Sequence, residues 1–177
     1  KAVAYATDPE DNPALGLRAI RYCLKKPEVF KIQLRAILRA AVFGNAKILL
    51  PMISSCEEIR LAKDMIDEAA RSLEVEKIPF NREVDIGIMI EVPSAVIMAE
   101  AMADEADFFS IGTNDLIQYT LAIDRGNRQV AHLFQPFHPA IIRMIKQVAD
   151  VCKKKGKKIA MCGEMAGDPL AVPILLG

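Results

Sequence analysis

The sequence has no excess of either charge sign. Its 23 lysines and arginines are matched by 23 aspartates and glutamates, so the formal net charge is zero. The two signs are interspersed along the chain, which gives no reason to propose long-range attraction to nucleic acid or to a membrane surface; any anion must be held by a local cluster. Cysteine is scarce. Cys23, Cys56, Cys152 and Cys162 show no metal-ligand spacing, which argues against a zinc module and for a reduced, cytoplasmic chain. No apolar run reaches membrane length and no signal-peptide pattern is present in the sequence, so no membrane association is expected. There are only two histidines, His132 and His138.

What is present is apolar residues in quantity. Hydrophobic side chains make up 52% of 177 residues, enough for one domain with a full-sized core. Both ends read as cuts: Lys1 to Thr7 is a tail without a start signal, and Val172-Pro-Ile-Leu-Leu-Gly177 stops inside an apolar run. The expectation is a piece of a longer polypeptide.

Turn residues fill Asp8 to Pro13, and a first helix is expected from about Arg18 to Leu24. Pro27 suits a helix start, and Val29, Ile32, Leu34, Ile37, Leu38 and Ala41 recur at helical spacing up to Gly44, read as a C-cap. Lys47 to Met52 is a short unbroken apolar run of the type buried on both faces of a parallel sheet. Ser54 or Ser55 caps the next helix, which has Glu57 and Glu58 in its first turn and Leu61, Ala62, Met65, Ile66 and Ala69 as its apolar stripe. Further on, Asp115 to Ile123 reads as helix, Gln135 to Pro139 as a rigid turn, Ala140 to Lys154 as an amphipathic helix, and Lys158 to Met161 as a strand.

Two carboxylates stand out in this pattern. Glu91 ends the strand-like run Gly87-Ile-Met-Ile-Glu91, and Asp115 ends the next, Phe108-Phe-Ser-Ile-Gly112-Thr-Asn114-Asp115. An Ala-rich helical stretch, Ser94 to Ala103, lies between. A parallel βαβ crossover puts both carboxylates at the C-terminal edge of neighbouring strands, where two oxygen donors with room for water and substrate describe a Mg²⁺ site for a phosphorylated ligand. The alternative is a pair of strand-end residues capping the following helices. With Met52, Glu91, Asn114 and Asp115, and Cys162 each at a strand's C-terminal end, the expected fold is α/β, a (β/α)₈ TIM barrel. It is present as about four parallel strands with flanking helices, one partial barrel domain over residues 1–177.

Four separated motifs then carry a resemblance: Gly87 to Pro93, Phe109-Ser-Ile-Gly-Thr-Asn114-Asp115-Leu-Ile-Gln118-Tyr-Thr, Asp124-Arg125-Gly-Asn127, and Met161-Cys162-Gly-Glu164-Met-Ala-Gly167-Asp168. Together they resemble the phosphoenolpyruvate-binding domain of the enzyme I family, the phosphotransferases that feed the bacterial sugar phosphotransferase system. Asn12-Pro-Ala-Leu-Gly16-Leu-Arg18 looks like that family's arginine loop. Pyruvate phosphate dikinase and phosphoenolpyruvate synthase share the site logic, but Tyr119 to Asn127 is closest to enzyme I.

The resemblance implies Mg²⁺ ligation by Glu91 and Asp115, phosphate binding by Asn114, Arg125 and Arg18, and proton donation to the enolate by Cys162. A thiol can serve as general acid where a thiolate could not, although a lone cysteine after an apolar strand is otherwise a small buried hydrophobe. The substrate pair implied is phosphoenolpyruvate and pyruvate. The implied partners are an upstream phosphohistidine domain, through it the histidine-containing phosphocarrier protein, and a second copy in a homodimer formed by the barrel. His132 and His138 match no phosphohistidine segment and read as ordinary loop residues, and the Lys153 to Lys158 run reads as a solvated helix end. The family's site takes further arginines from strands before Lys1, and a last strand is expected after Gly177. A dikinase or synthase domain, and a non-catalytic dimerisation or regulatory fragment, are the two alternatives.

Overall fold

The computed structural model describes residues 10–176; the tail expected over residues 1–7 lies outside them. Helix α1 (Ala19–Lys25) leads into α2 (Pro27–Ala40), which Pro27 opens at the first helical position, where its missing N–H costs nothing. Strand β1 (Ile48–Leu50) follows, then α3 (Cys56–Val75), the longest helix. A reciprocal capping box starts α3: Ser55 Oγ accepts from the Glu58 N–H at 3.3 Å, while Glu58 Oε2 accepts from the Ser55 N–H at 3.1 Å. Then come β2 (Ile86–Ile90), α4 (Pro93–Ile97), α5 (Ala99–Glu105), β3 (Phe108–Gly112), α6 (Thr113–Leu121), α7 (Pro139–Lys155), β4 (Lys158–Cys162) and α8 (Val172–Leu176). Gly156, with φ of +65°, closes α7 in the left-handed conformation that glycine adopts without penalty.

The four strands form one parallel sheet in the order β1-β2-β3-β4. Strand order never reverses, which is the singly wound arrangement of a barrel rather than the doubly wound open sheet. One face buries Ile88, Ile90, Phe109 and Ile111 against the helices, all at most 1% exposed. The opposite face carries Met89 on β2 and Glu91 just after it, Ser110 and Gly112 on β3, and Ala160 and Cys162 on β4, because alternate residues share a face and parallel partners lie side by side.

Several expected elements differ in extent. The run ending at Asp115 is strand only to Gly112; Thr113, Asn114 and Asp115 form the first turn of α6. The stretch Ser94 to Ala103 is two helices broken at Met98 rather than one. Helix α2 ends at Ala40, short of Gly44, and the Asn81 N–H donates to the Leu38 carbonyl near its C-terminal end. Its buried stripe is Phe30, Leu34 and Leu38, with Val29 and Ile32 turned to solvent, and in α3 Ile59 is buried while Leu61 is not.

Candidate active site

The C-terminal ends of the four strands gather the polar side chains. Glu91, one residue beyond β2, is 5% exposed, and its Oε1 accepts from the Met52 N–H at 2.7 Å. Met52 holds φ at +58°, a left-handed backbone that costs a residue with a Cβ about 1 kcal/mol or more, and its N–H lies on the carboxylate in that conformation. The other oxygen, Oε2, occupies space over Gly112: a Cβ there would stand 2.6 Å from it. The glycine is needed for room, since its own φ of −89° is open to any residue.

Burial pushes the Glu91 carboxyl above the usual glutamate range, and the charge of Asp115 adds to this; the Met52 N–H and the guanidiniums of Arg18 and Arg125 pull the other way. Asp115 is on the first turn of α6, where the helix dipole favours a negative charge. Arg18 Nη2 donates to its Oδ2 at 3.2 Å. Arg125 Nη2 lies 3.7 Å from Oδ1, beyond hydrogen-bond reach, and Oδ1 is buried without a hydrogen-bond partner.

Each arginine is held by its own loop. Before α1, the Leu17 N–H donates to both oxygens of Glu10, at 2.9 and 3.2 Å, and Arg21 Nη1 donates to the Leu15 carbonyl at 2.8 Å. After α6, the Arg125 N–H donates to Oε1 of the buried Gln118 at 3.2 Å, and the Gly126 N–H to Asp124 Oδ1 at 2.8 Å. Asn114 Oδ1 accepts the Glu164 N–H at 3.2 Å, which leaves its amide NH₂ as the end open to an anion. Cys162 lies beside Gly112 in the β3–β4 register; its Sγ donates to the Ile111 carbonyl at 3.4 Å and accepts from Ser110 Oγ at 3.5 Å. Gly163, φ +96°, passes so close that a Cβ would meet Thr113 Oγ1 at 2.5 Å.

All six residues singled out in the sequence therefore converge at one end of one sheet. Tyr119, the Met52 N–H, Gln118 and Ser110 were not singled out. Tyr119 had a signal, its place one helical turn after Asp115 on the same face; the other three depend on backbone geometry and strand neighbours that spacing does not reveal. The donor set fits a hard divalent cation. Two carboxylates, one with an orphaned buried oxygen, suit an ion that keeps water and ligand oxygens in its shell, and among the described residues no third His, Cys, Asp or Glu joins them.

The model of the PEP-utilising enzyme, PEP-binding domain matches residues 1–177. The chain belongs to this family. Phosphoenolpyruvate-protein phosphotransferases from Priestia megaterium and Bacillus subtilis are 50% and 49% identical to it over 100% of this chain, and that from Listeria monocytogenes 51%. This PEP-binding domain spans about a third of their length, 31% of each. Among solved structures, a citrate lyase from Burkholderia xenovorans LB400 superposes with a TM-score of 0.56 at 22% identity, over 74% of this chain and 40% of that one. An HpcH/HpaI aldolase from Desulfitobacterium hafniense DCB-2 gives 0.50 at 16%, over 79% and 58%. At such identity the likeness concerns fold alone, and it is to barrel-type α/β proteins, as the unreversed parallel sheet implies. Among the described residues no helix is long and apolar enough to cross a membrane.

Proposed function

We propose that this PEP-binding domain holds phosphoenolpyruvate for Mg²⁺-dependent transfer of its phosphoryl group to a histidine in another domain of the same polypeptide, with pyruvate as product. The observation that carries the reading is the pairing of Glu91 and Asp115 at one sheet edge with Arg18 and Arg125 on Asp115. The relatives' shared name supports a phosphotransferase over a dikinase or synthase. A phosphocarrier protein as the next acceptor and a homodimer formed through the barrel are part of the same reading.

Arg18 and Arg125 bind the phosphate oxygens, to which a planar guanidinium offers paired donors, and the Asn114 NH₂ adds a neutral donor. Glu91 and Asp115 would hold Mg²⁺, which neutralises charge on the transferring group. The acceptor histidine takes the phosphoryl group, the bond from phosphorus to the enol oxygen breaks, and the enolate is left. Cys162 then gives its S–H proton to the methylene carbon, and the Ser110 hydroxyl already donating to Sγ stabilises the thiolate that remains. Solvent must return the proton before the next turnover.

Cys162→Ala in the full-length polypeptide separates the half-reactions. Rapid quench with labelled phosphoenolpyruvate is expected to show phosphorylated protein with pyruvate formation stalled. Loss of phosphoryl transfer itself would reject the proton-donor role, and normal pyruvate turnover would return Cys162 to the status of a packing residue.

A further inference from the structure

The proposed function leaves one arrangement unused. Tyr119, at the end of the helical turn that begins with Asp115, reaches back across the site to the loop before α1. Its Oη donates to the Ala14 carbonyl and accepts from Arg18 Nη1 at 3.2 Å, while Nη2 of the same guanidinium is on Asp115 Oδ2 at 3.2 Å. The two guanidinium nitrogens thus have different fates. The Nη2 contact is to Oδ2 of the carboxylate proposed to bind the cation, which leaves Oδ1 for the ion, and Nη2 is the end of the guanidinium that would leave Asp115 to reach the phosphate. The Nη1 contact is to a neutral hydroxyl that no ligand needs.

We propose that the Tyr119 hydroxyl is the pivot on which Arg18 turns from Asp115 to the substrate phosphate, a positioning residue that acts through Arg18. Phenol chemistry suits this role, because a protonated hydroxyl can donate to Ala14 and accept from Arg18 at once, whereas a phenolate could not donate. Burial, the largest influence on this group, raises the Tyr119 pKa and keeps the hydroxyl protonated at neutral pH. The bond to Ala14 fixes the hydroxyl to the arginine loop itself, so pivot and loop move as one. Holding a long side chain near its bound position lowers the rotamer entropy lost on binding.

The inference rests on the reading of Arg18 as a phosphate ligand, and a double-mutant cycle keeps the two apart. In the full-length polypeptide with Mg²⁺ and with its acceptor histidine replaced so that no transfer occurs, phosphoenolpyruvate affinity would be measured calorimetrically for the parent, Tyr119→Phe, Arg18→Ala and the double variant; steady-state KM and kcat would be measured for the first two with that histidine in place. Tyr119→Phe keeps the ring and its packing. It should weaken binding roughly ten-fold and raise KM by a similar factor, with kcat changing much less. In the Arg18→Ala background the same substitution should cost less than about two-fold, because its route of action is gone. A full ten-fold loss in that background, or no loss in the parent, overturns the pivot while leaving Arg18 its role. If Arg18→Ala alone leaves affinity unchanged, the phosphate-ligand reading falls, and the pivot with it.

Discussion

At the scale of single residues, the burial of Glu91 ties stability to pH. Its folded-state pKa is raised, so above the usual glutamate value of 4.5 this carboxyl holds more proton in the folded, metal-free domain than in the unfolded chain. Stability tied to this group is therefore present below that value and is lost as pH rises through the higher folded one. Glu91→Gln keeps an oxygen to accept the Met52 N–H. Its melting temperature relative to the parent should climb as pH is raised from 4.5, and Mg²⁺ should close the gap by stabilising the parent alone. A constant difference across the titration would show that the carboxylate is not desolvated. Arg125 makes a different demand. Arg125→Lys preserves charge and loses the planar fork, and in the full-length polypeptide kcat/KM should fall by a factor corresponding to about 2 kcal/mol. An unchanged kcat/KM would place the phosphate elsewhere.

At the scale of elements, the capping box of α3 and the close approach at Gly112 give opposite kinds of substitution. Ser55→Ala removes a side-chain cap and should lower unfolding free energy by about 1 kcal/mol in a denaturant titration, leaving the ligand site alone. Gly112→Ala should abolish metal binding by displacing Glu91 while the fold survives; retention of the site would mean that the sheet spreads to admit the methyl. The strands and the carboxylate pair were legible in the sequence because short unbroken apolar runs ending in polar residues have few other uses in an α/β chain. Element ends were less legible. Nothing local in Ser94 to Ala103 announces the break at Met98, and the Asn81 N–H on the Leu38 carbonyl comes from a loop 43 residues away. The stripe of α2 was shifted because Val29 and Ile32 are as apolar as Phe30, and only packing against α3 tells them apart. Tyr119 carried a signal in its spacing from Asp115, but its partners did not: Ala14 and Arg18 lie 105 and 101 residues upstream.

For the molecule as a whole, stability resides in the buried centre of the sheet. Phe109, at 0% exposure on the inner strand β3, should cost about 3–5 kcal/mol when cut to alanine. Lys154→Ala, which breaks only the exposed pair with Glu100 at 2.7 Å, should cost under about 1 kcal/mol. Hydrogen exchange on residues 1–177 should rank β2 and β3 above β4, whose residues Lys158, Ile159 and Ala160 are exposed and which has one strand partner among those described. Equal protection of β4 would mean that its outer edge is covered. Arg18 and Asp115, joined by a single hydrogen bond, are 97 residues apart in the chain. On a ribosome adding about 5–20 residues per second, the arginine loop emerges roughly 5–20 s before the carboxylate it will grip has been made. For that interval Glu10 to Arg18 lacks the contacts with Tyr119 and Asp115 that hold it among the described residues, so nascent chains should be nicked there by protease far more readily than finished ones.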